Sequence, residues 1–247
     1  MNRWRLIALD MDGTLLEAEG TISEPNLQWI RRARNAGIEV TIATGRPKRM
    51  IIPYLEMLDV QVPFVVANGS EVWTSGGVLL ERHTIEHEDI RFLYALTQEF
   101  GTRFWSSVVD QVFKPGTFPE QIELYQWLKF GFKSEDRDVI EEIWKRLKTY
   151  GRLELSSSDP SNIEVNPKGI TKATGLQKVC DYLNITAQQV VTMGDGLNDV
   201  AMLRWAGFGF AMANAPAEVQ AAADEVTDHY ERDGVAQAIQ KLLSFPP

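Results

Sequence analysis

The sequence predicts an α/β protein built on a parallel sheet that is covered by helices on both faces. Short runs of apolar residues, the first of which is Leu6-Ile7-Ala8-Leu9, alternate along the chain with amphipathic segments of helical length. Strands of a parallel sheet are buried on both faces, so their sequences are almost continuously apolar, and helices connect them. A middle stretch of different character interrupts this alternation at residues 82–165. We therefore expect a Rossmann-like, doubly wound core with a second α/β domain inserted into it.

The outer parts of the chain, residues 1–81 and 166–247, supply the elements of the expected core. Apolar runs predict strands at residues 6–9, 38–43, 64–67, 190–193, 208–212 and 225–227. The segments between them predict helices at residues 25–35, 47–58, 173–183, 199–205, 217–223 and 235–243.

The middle stretch, residues 82–165, is long enough to form a small domain of its own. Its pattern predicts helices at residues 86–100, 119–128 and 135–150. It predicts strands at residues 103–108, 112–114, 129–133, 153–157 and 162–165.

The composition excludes several classes of function. The chain of 247 residues has a net charge of −9, whereas binding to nucleic acid or an anionic membrane needs a basic surface. We therefore expect neither as a partner. The single cysteine, Cys180, excludes an internal disulfide and a cysteine-based zinc site. The apolar run before Asp10 is too short for a signal peptide, and no stretch is long enough to span a membrane, so we expect a cytoplasmic location. The sequence leaves the oligomeric state open.

Small or polar residues stand where the predicted core strands end. In open α/β sheets, ligands bind beyond the carboxyl ends of the strands. Residues with related chemistry at several strand ends therefore predict one site along one edge of the sheet. These residues are Asp10 and Asp12, Thr44-Gly45-Arg46, Asn68-Gly69, Gly194-Asp195, and Asn214.

Two groups of aspartates indicate a metal site. Asp10 and Asp12 follow the first strand two residues apart, so their side chains should point to the same side. Two like charges this close are costly unless a cation lies between them. The second group is Gly194-Asp195-Gly196-Leu197-Asn198-Asp199, which faces the first if the two strands are neighbours. An oxygen-rich ligand set without histidine or cysteine favours a hard divalent cation, and we expect Mg²⁺.

A lysine and an anion-binding loop complete the expected site. Lys172 precedes a predicted helix and the second aspartate group, and we expect it to neutralise the carboxylates and a bound phosphate. Lys168 is the alternative. Thr44 offers a hydroxyl, and the amides of Gly45 and Arg46 lie before a predicted helix, where anions bind well.

These motifs, in this order, resemble those of the haloacid dehalogenase superfamily of phosphohydrolases. The resemblance rests on Asp10-x-Asp12-Gly13-Thr14, Thr44-Gly45-Arg46, Lys172 and Gly194-Asp195-x-x-Asn198-Asp199. The inserted stretch looks like the type IIB cap of the Cof-like subfamily, which Ala67-Asn68-Gly69 and Met212-Ala213-Asn214-Ala215 also resemble. One departure is Ala173, where that subfamily often has glycine.

The resemblance implies a reaction and a role for each residue. Asp10 would attack phosphorus to give an aspartyl-phosphate, and Asp12 would protonate the leaving group and then deprotonate water. Mg²⁺ would be held by Asp10, the backbone carbonyl of Asp12 and Asp195, with Asp199 and Asn198 in support. We expect Thr44, Gly45, Arg46 and Asn198 to bind a small phosphorylated metabolite, such as a sugar phosphate.

Three other functions stay open at this point. A sugar phosphomutase would share the motifs but should have a cationic cap, and residues 82–165 carry no excess of basic residues. A non-enzymatic, receiver-like phosphate sensor would not need the inserted domain. A zinc enzyme could use His83 and His87, although no third ligand is evident. The cap residues that contact the substrate do not follow from the sequence, and the candidates are Arg103, Trp105, Lys114 and Asn162.

Overall fold

The computed structural model describes residues 3–244. In chain order the strands are β1 (Leu6–Leu9), β2 (Glu39–Ile42), β3 (Phe64–Val66), β4 (Glu71–Trp73), β5 (Leu79–Arg82), β6 (Arg103–Val108), β7 (Val112–Phe113), β8 (Trp127–Lys133), β9 (Leu153–Ser156), β10 (Asn162–Pro167), β11 (Val190–Gly194), β12 (Phe208–Ala211) and β13 (Glu225–Val226). The helices are α1 (Glu24–Asn35), α2 (Ile52–Met57), α3 (His87–Phe100), α4 (Arg137–Tyr150), α5 (Lys172–Leu183), α6 (Val200–Trp205), α7 (Ala217–Gln220) and α8 (Gly234–Ser244).

A five-stranded parallel sheet forms the core, in the order β13-β12-β11-β1-β2. Strand β1 is fully buried and lies inside the sheet, paired with β11 on one side and β2 on the other. The strand order therefore reverses between β1 and β11, and ligands bind at such a switch point in doubly wound sheets. This confirms the α/β class predicted from the sequence.

Helix α5 begins at a well-defined cap that fixes the position of Lys172. Thr171 accepts a hydrogen bond from the amide of Thr174, and the Thr174 hydroxyl in turn accepts one from the amide of Thr171. This reciprocal capping box satisfies two backbone amides that a helix start leaves free. The helix ends at Asn184, which adopts a left-handed conformation. Lys172 therefore stands in the first turn of a helix with two firmly defined ends.

The core strand predicted at residues 64–67, which is β3, lies at the margin of the core sheet rather than within it. Strand β3 pairs antiparallel with β4, which pairs with β5, and a single bridge between Ala43 and Val65 joins this small sheet to the end of β2. The predicted helix at residues 47–58 is shorter than expected, because a 3₁₀ turn at Lys48–Met50 precedes α2.

The inserted domain is a second five-stranded sheet, antiparallel and in the order β7-β6-β8-β10-β9. Helices α3 and α4 pack against it around an apolar cluster that includes Phe130, Phe132 and Ile143, separate from the apolar cluster of the core. We call this domain the cap; its boundaries at residues 82 and 165 stay a prediction. Over residues 3–244 no helix has the length and apolarity to cross a membrane.

The helix predicted at residues 119–128 is wrong. Only a 3₁₀ turn forms there, at Ile122–Leu124, and β8 already begins at Trp127. Trp127 pairs with Val108 across the cap sheet, and its indole donates a hydrogen bond to the carbonyl of Ile122. Pairing with neighbouring strands therefore outweighs the helical spacing of the apolar residues in this segment.

Candidate active site

The two aspartate groups meet at the switch point of the core sheet. Asp10 follows β1 and Asp195 follows β11, and these two strands are neighbours in register, with Leu9 opposite Met193. Asp10 and Asp12 line the same pocket, as the alternation of side chains along a strand predicts, while Met11 between them is buried in the core.

Lys172 lies between two aspartates in the interior of the protein. Its Nζ is 2.6 Å from Asp10 Oδ1 and 2.6 Å from Asp199 Oδ1, and the lysine side chain is fully buried. The alternative, Lys168, is directed instead toward the carbonyl of Leu153 in the cap. The structure therefore brings Lys172, and not Lys168, to the carboxylates.

The electrostatics of this cluster favour a cation. Burial raises the pKa of Asp10 well above its ordinary value; Lys172 opposes this rise, and Asp199 and Asp195 add to it. Burial, followed by the charge of Asp199, raises the pKa of Asp195 to about 7. Burial alone would lower the pKa of Lys172, but the charges of Asp10 and Asp199 outweigh it and raise that pKa. One lysine thus offsets only part of the negative charge.

Asp195 is held in place by side chains from two distant segments of the chain. Its Oδ1 accepts a hydrogen bond from the Thr14 hydroxyl (3.2 Å), and its Oδ2 accepts one from Asn214 Nδ2 (3.1 Å). The same amide group of Asn214 also donates to the carbonyl of Gly13. Gly13 has a φ of 76°, and a Cβ there would overlap the Asp195 carboxylate. Only glycine therefore satisfies both the turn and the close approach.

Asp10, Asp195 and Asp199 could hold a metal ion. Each offers a carboxylate oxygen, and these oxygens lie within 4.8 Å of one another. Within residues 3–244 this is the only group of three or more histidine, cysteine, aspartate or glutamate side chains so placed. An all-oxygen set of this kind fits a hard divalent cation. His83 instead lies against Glu81, and His87 against the carbonyl of Tyr125.

Asp199 stabilises the turn at residues 195–196 and also contacts Lys172. Its Oδ2 accepts hydrogen bonds from the backbone amides of Asp195 (3.0 Å) and Gly196 (2.9 Å). Because its Oδ1 already contacts Lys172, both oxygens of this buried side chain have partners. Asp199 therefore fixes the turn that carries Asp195.

Arg46 contacts Asp12 rather than open solvent. Its Nε and one terminal nitrogen donate to the two oxygens of the Asp12 carboxylate, at 2.9 Å and 2.5 Å. The backbone amide of Arg46 donates to the hydroxyl of Thr44, which is fully buried at the end of β2. The loop at residues 44–46 thus lies beside Asp12, and Gly45 and Arg46 line the same pocket as the aspartates.

The cap reaches the core through a buried polar network that the sequence did not reveal. Lys129 Nζ donates to Glu164 Oε1 (2.9 Å) and to the carbonyl of Gly45 (2.9 Å). Glu164 Oε2 accepts from Asn68 (2.7 Å) and Asn198 (3.3 Å). We call these five residues the cap–core network. Burial alone would raise the pKa of Glu164, but Lys129 and the hydrogen bond from Asn68 outweigh it and lower that pKa.

Core and cap together enclose a pocket of about 310 Å³ over the aspartates. Of the four suggested cap residues, Trp105 and Lys114 line it. Arg103 instead forms an exposed ion pair with Glu135, and Asn162 makes hydrogen bonds with Ser157 and Ser158 of its own loop. The volume suits one small molecule, since ligand pockets usually measure about 300 to 1,000 Å³.

Known proteins resemble this chain over nearly its whole length. The sequence profile of the haloacid dehalogenase-like hydrolases matches residues 7–121 and 117–239. A Bacillus subtilis protein named 5-amino-6-(5-phospho-D-ribitylamino)uracil phosphatase YcsE is 44% identical over 96% of this chain and 94% of its own length. The pyridoxal phosphate phosphatase YbhA of Escherichia coli is 28% identical over 97% and 98%. A haloacid dehalogenase-like hydrolase structure from B. subtilis superposes with a TM-score of 0.86, at 25% identity, over 96% of this chain and 99% of that one.

Proposed function

The chain belongs to the haloacid dehalogenase-like hydrolases and is a phosphoric monoester hydrolase, and from that premise we propose that it is a magnesium-dependent phosphatase that acts on small phosphorylated metabolites through an aspartyl-phosphate on Asp10. The observation that carries this proposal is the buried Asp10 carboxylate, in contact with Lys172 and open to a pocket that the core and cap both line. Such a group is placed to meet a phosphate ester, and Lys172 stabilises the charge that develops on it.

The reaction proceeds in two displacements at phosphorus. A carboxylate oxygen of Asp10 forms a bond to phosphorus as the bond to the ester oxygen breaks, and Asp12 gives its proton to the departing alkoxide. Water then attacks the aspartyl-phosphate, its proton passes to Asp12, and the bond between phosphorus and Asp10 breaks. Because Arg46 occupies both oxygens of Asp12, this side chain must exchange Arg46 for the ester oxygen when substrate binds.

Asp10, the backbone carbonyl of Asp12 and Asp195 would hold the Mg²⁺ ion, with Asp199 in support. When bound, the ion supplies the positive charge that lets a phosphate dianion approach a carboxylate. The phosphoryl oxygens are bound by the loop at residues 44–46 and by Asn198. The Thr44 hydroxyl accepts from the amide of Arg46, which leaves its own proton free to be donated, but Thr44 is fully buried and it is Gly45 and Arg46 of this loop that line the pocket.

The first substrate to assay is 5-amino-6-(5-phospho-D-ribitylamino)uracil, because the relative at 44% identity is named for it. A phosphomutase is the competing function. It would have to retain a bisphosphate, yet the cap contributes only two cations to the pocket, Lys114 and Lys129, and Lys129 is already paired with Glu164. Release of inorganic phosphate without a bisphosphate activator, measured over a panel of phosphorylated metabolites, tests the proposal. Transfer of phosphate to a second hydroxyl of the substrate would favour the mutase instead.

Removal of divalent cations is expected to abolish phosphate release. Three carboxylates with one lysine leave a net negative site that repels a phosphate dianion. Activity should vanish in EDTA, return with excess Mg²⁺, and be inhibited by Ca²⁺, whose longer and looser coordination would misplace Asp10. Full activity in EDTA would contradict the metal requirement.

Mg²⁺ is also expected to stabilise the fold more at pH 8 than at pH 5. Without metal, Asp195 has a pKa of about 7, whereas an unfolded aspartate titrates near about 4. Between these values the folded state keeps a proton that the unfolded state loses, so the metal-free protein loses stability as the pH rises. Thermal unfolding with and without Mg²⁺ measures this. An equal Mg²⁺ effect at both pH values would contradict it.

Asp12→Asn is expected to slow turnover by about a hundredfold to ten-thousandfold, the usual cost of removing a general acid and base. The backbone carbonyl at residue 12 is retained, so Mg²⁺ should still bind.

The first displacement in this variant should be less impaired for nitrophenyl phosphate, whose leaving group needs little protonation, than for an alkyl phosphate. Hydrolysis of the intermediate would still lack its base, so phosphorylated enzyme should accumulate with nitrophenyl phosphate. Intact-protein mass spectrometry after acid quench detects this species. Equal losses for both substrates without phosphoenzyme would show that Asp12 has only a structural role.

A further inference from the structure

One face of the cap sheet points to the catalytic aspartates and differs in chemistry from the other. Along β6, Phe104 packs into the apolar cluster of the cap, whereas Trp105 and Ser107 line the pocket. Along β8, Phe130 is in that cluster, whereas Lys129 lines the pocket. The alternation of side chains in a strand therefore separates the residues that stabilise the cap from those that can contact a substrate.

Trp105 owes its position to a glycine on the neighbouring strand. Trp105 pairs with Gly131 in register, and Gly131 pairs on its other side with Glu164. A Cβ at residue 131 would overlap the indole ring, so the ring lies in the space that a side chain there would take. Trp105 is half-buried and lines the pocket. One part of the ring therefore packs against Gly131, and the part that is still exposed borders the pocket.

The core supplies an apolar surface to the same pocket. Pro47 and Met50 line it from the loop that follows β2, and Met50 is 48% exposed although it is apolar. We call Trp105, Pro47 and Met50 the ring slot, because an indole ring and a thioether both pack well against the faces of conjugated rings. Polar groups lie in the same pocket: the buried Ser107, and Lys114, which has no carboxylate within ion-pair distance among the described residues.

We propose that the substrate's leaving group carries a planar conjugated ring with oxygen substituents, which is held in the ring slot and bound at its polar edge by Lys114 and Ser107. This inference rests on the proposed phosphatase function and adds to it the chemical class of the leaving group. A polyol or sugar phosphate without such a ring would leave the apolar faces of Trp105 and Met50 without a matching surface. The pocket has room for one ring and a phosphoryl group, not for a dinucleotide.

The experiment compares kcat/KM for two substrates with a ring, pyridoxal 5′-phosphate and uridine 5′-monophosphate, with that for two without one, acetyl phosphate and glycerol 1-phosphate. We expect the better ring substrate to exceed glycerol 1-phosphate by about tenfold or more, since loss of one aromatic contact and its buried area is worth about that factor. Trp105→Ala should reduce this ratio about tenfold, mainly through KM of the ring substrates, and Trp105→Phe should retain most of it.

Two further variants make the result unambiguous. Met50→Ala alters the slot from the core side at a half-exposed position, so it should lower the ratio without risk to the fold even if Trp105→Ala proves unstable. Leu124→Ala, at a cap residue that is 72% exposed and outside the pocket, should change neither ratio nor activity. Phosphate release without ring preference, or a ratio unchanged in both slot variants, would overturn this inference alone. No release from any of the four substrates, acetyl phosphate included, would instead count against the phosphatase function.

Discussion

Asp10→Asn is expected to release no measurable phosphate while the protein stays folded. The substitution removes the nucleophile, because an amide oxygen does not form a stable bond to phosphorus. It also reduces the net negative charge of the buried cluster. Asp10, Asp195, Asp199 and Lys172 together carry −2 when all are ionised, and the variant carries −1. Lys172 keeps its contact with Asp199, so the thermal stability of the metal-free protein should equal or exceed that of the parent.

The measurement pairs phosphate release in Mg²⁺ with thermal unfolding in EDTA. Asp110→Asn is the matched control, since Asp110 is an exposed cap residue whose carbonyl, rather than its carboxylate, accepts a hydrogen bond from Arg49. That variant should keep full activity. Retained activity in Asp10→Asn would move the nucleophile to another residue and overturn the mechanism.

Lys172→Met should impair both the reaction and the fold. The side chain is fully buried between two carboxylates, and removal of one partner from a buried ion pair typically costs about 3–5 kcal/mol. We expect a loss of this order in the free energy of unfolding of the metal-free protein. Mg²⁺ should restore part of it, since the ion can occupy the same negative cluster. Phosphate release should fall by about a hundredfold to a thousandfold even in saturating Mg²⁺, because a donor to the developing charge is lost.

Two companion variants separate charge from packing. Lys172→Met combined with Asp199→Asn removes one of the stranded carboxylates, so it should be more stable than Lys172→Met alone while remaining inactive. Lys168→Met should be close to the parent in both respects, because Lys168 donates a hydrogen bond to the carbonyl of Leu153 and lies outside the aspartate cluster. A loss of activity of less than about tenfold in Lys172→Met would show that this lysine does not act in the reaction.

The core could be predicted from the sequence because local pattern and tertiary position agree there. Strands such as β1 and β11 are apolar throughout, which indicates a parallel sheet that is buried on both faces. Each is followed directly by an aspartate, which indicates a site at the carboxyl edge of that sheet. The same agreement holds for Lys172, whose place in the first turn of α5 follows from the capping residues around it. The roles of these residues in catalysis stay predictions.

Prediction failed where pairing with distant segments decides the structure. Residues 119–128 have helical spacing, yet β8 begins at Trp127 because β6 and β10 lie on either side of it. The hairpin of β4 and β5 was missed, although Gly76-Gly77 between two alternating runs is a turn signal that could have indicated it. Lys129 and Glu164 carried no such signal, because a single charge in a strand usually faces solvent. Only the folded chain shows that both are buried.

The position of β1 at the centre of the core sheet has a consequence for how the protein is made. Residues 6–9 are synthesised well before one of their two neighbouring strands, which lies at residues 190–194, beyond the entire cap. Pairings between such distant segments form late and slow folding, because the intervening chain must be ordered first. Until then an apolar strand has an open edge, which invites pairing with other chains. The cap has its own apolar cluster and can fold in this interval, which shortens the distance that the last pairing must close. We therefore expect the nascent chain to be most exposed to aggregation before residue 190 emerges, and the candidate active site to be among the last features to form.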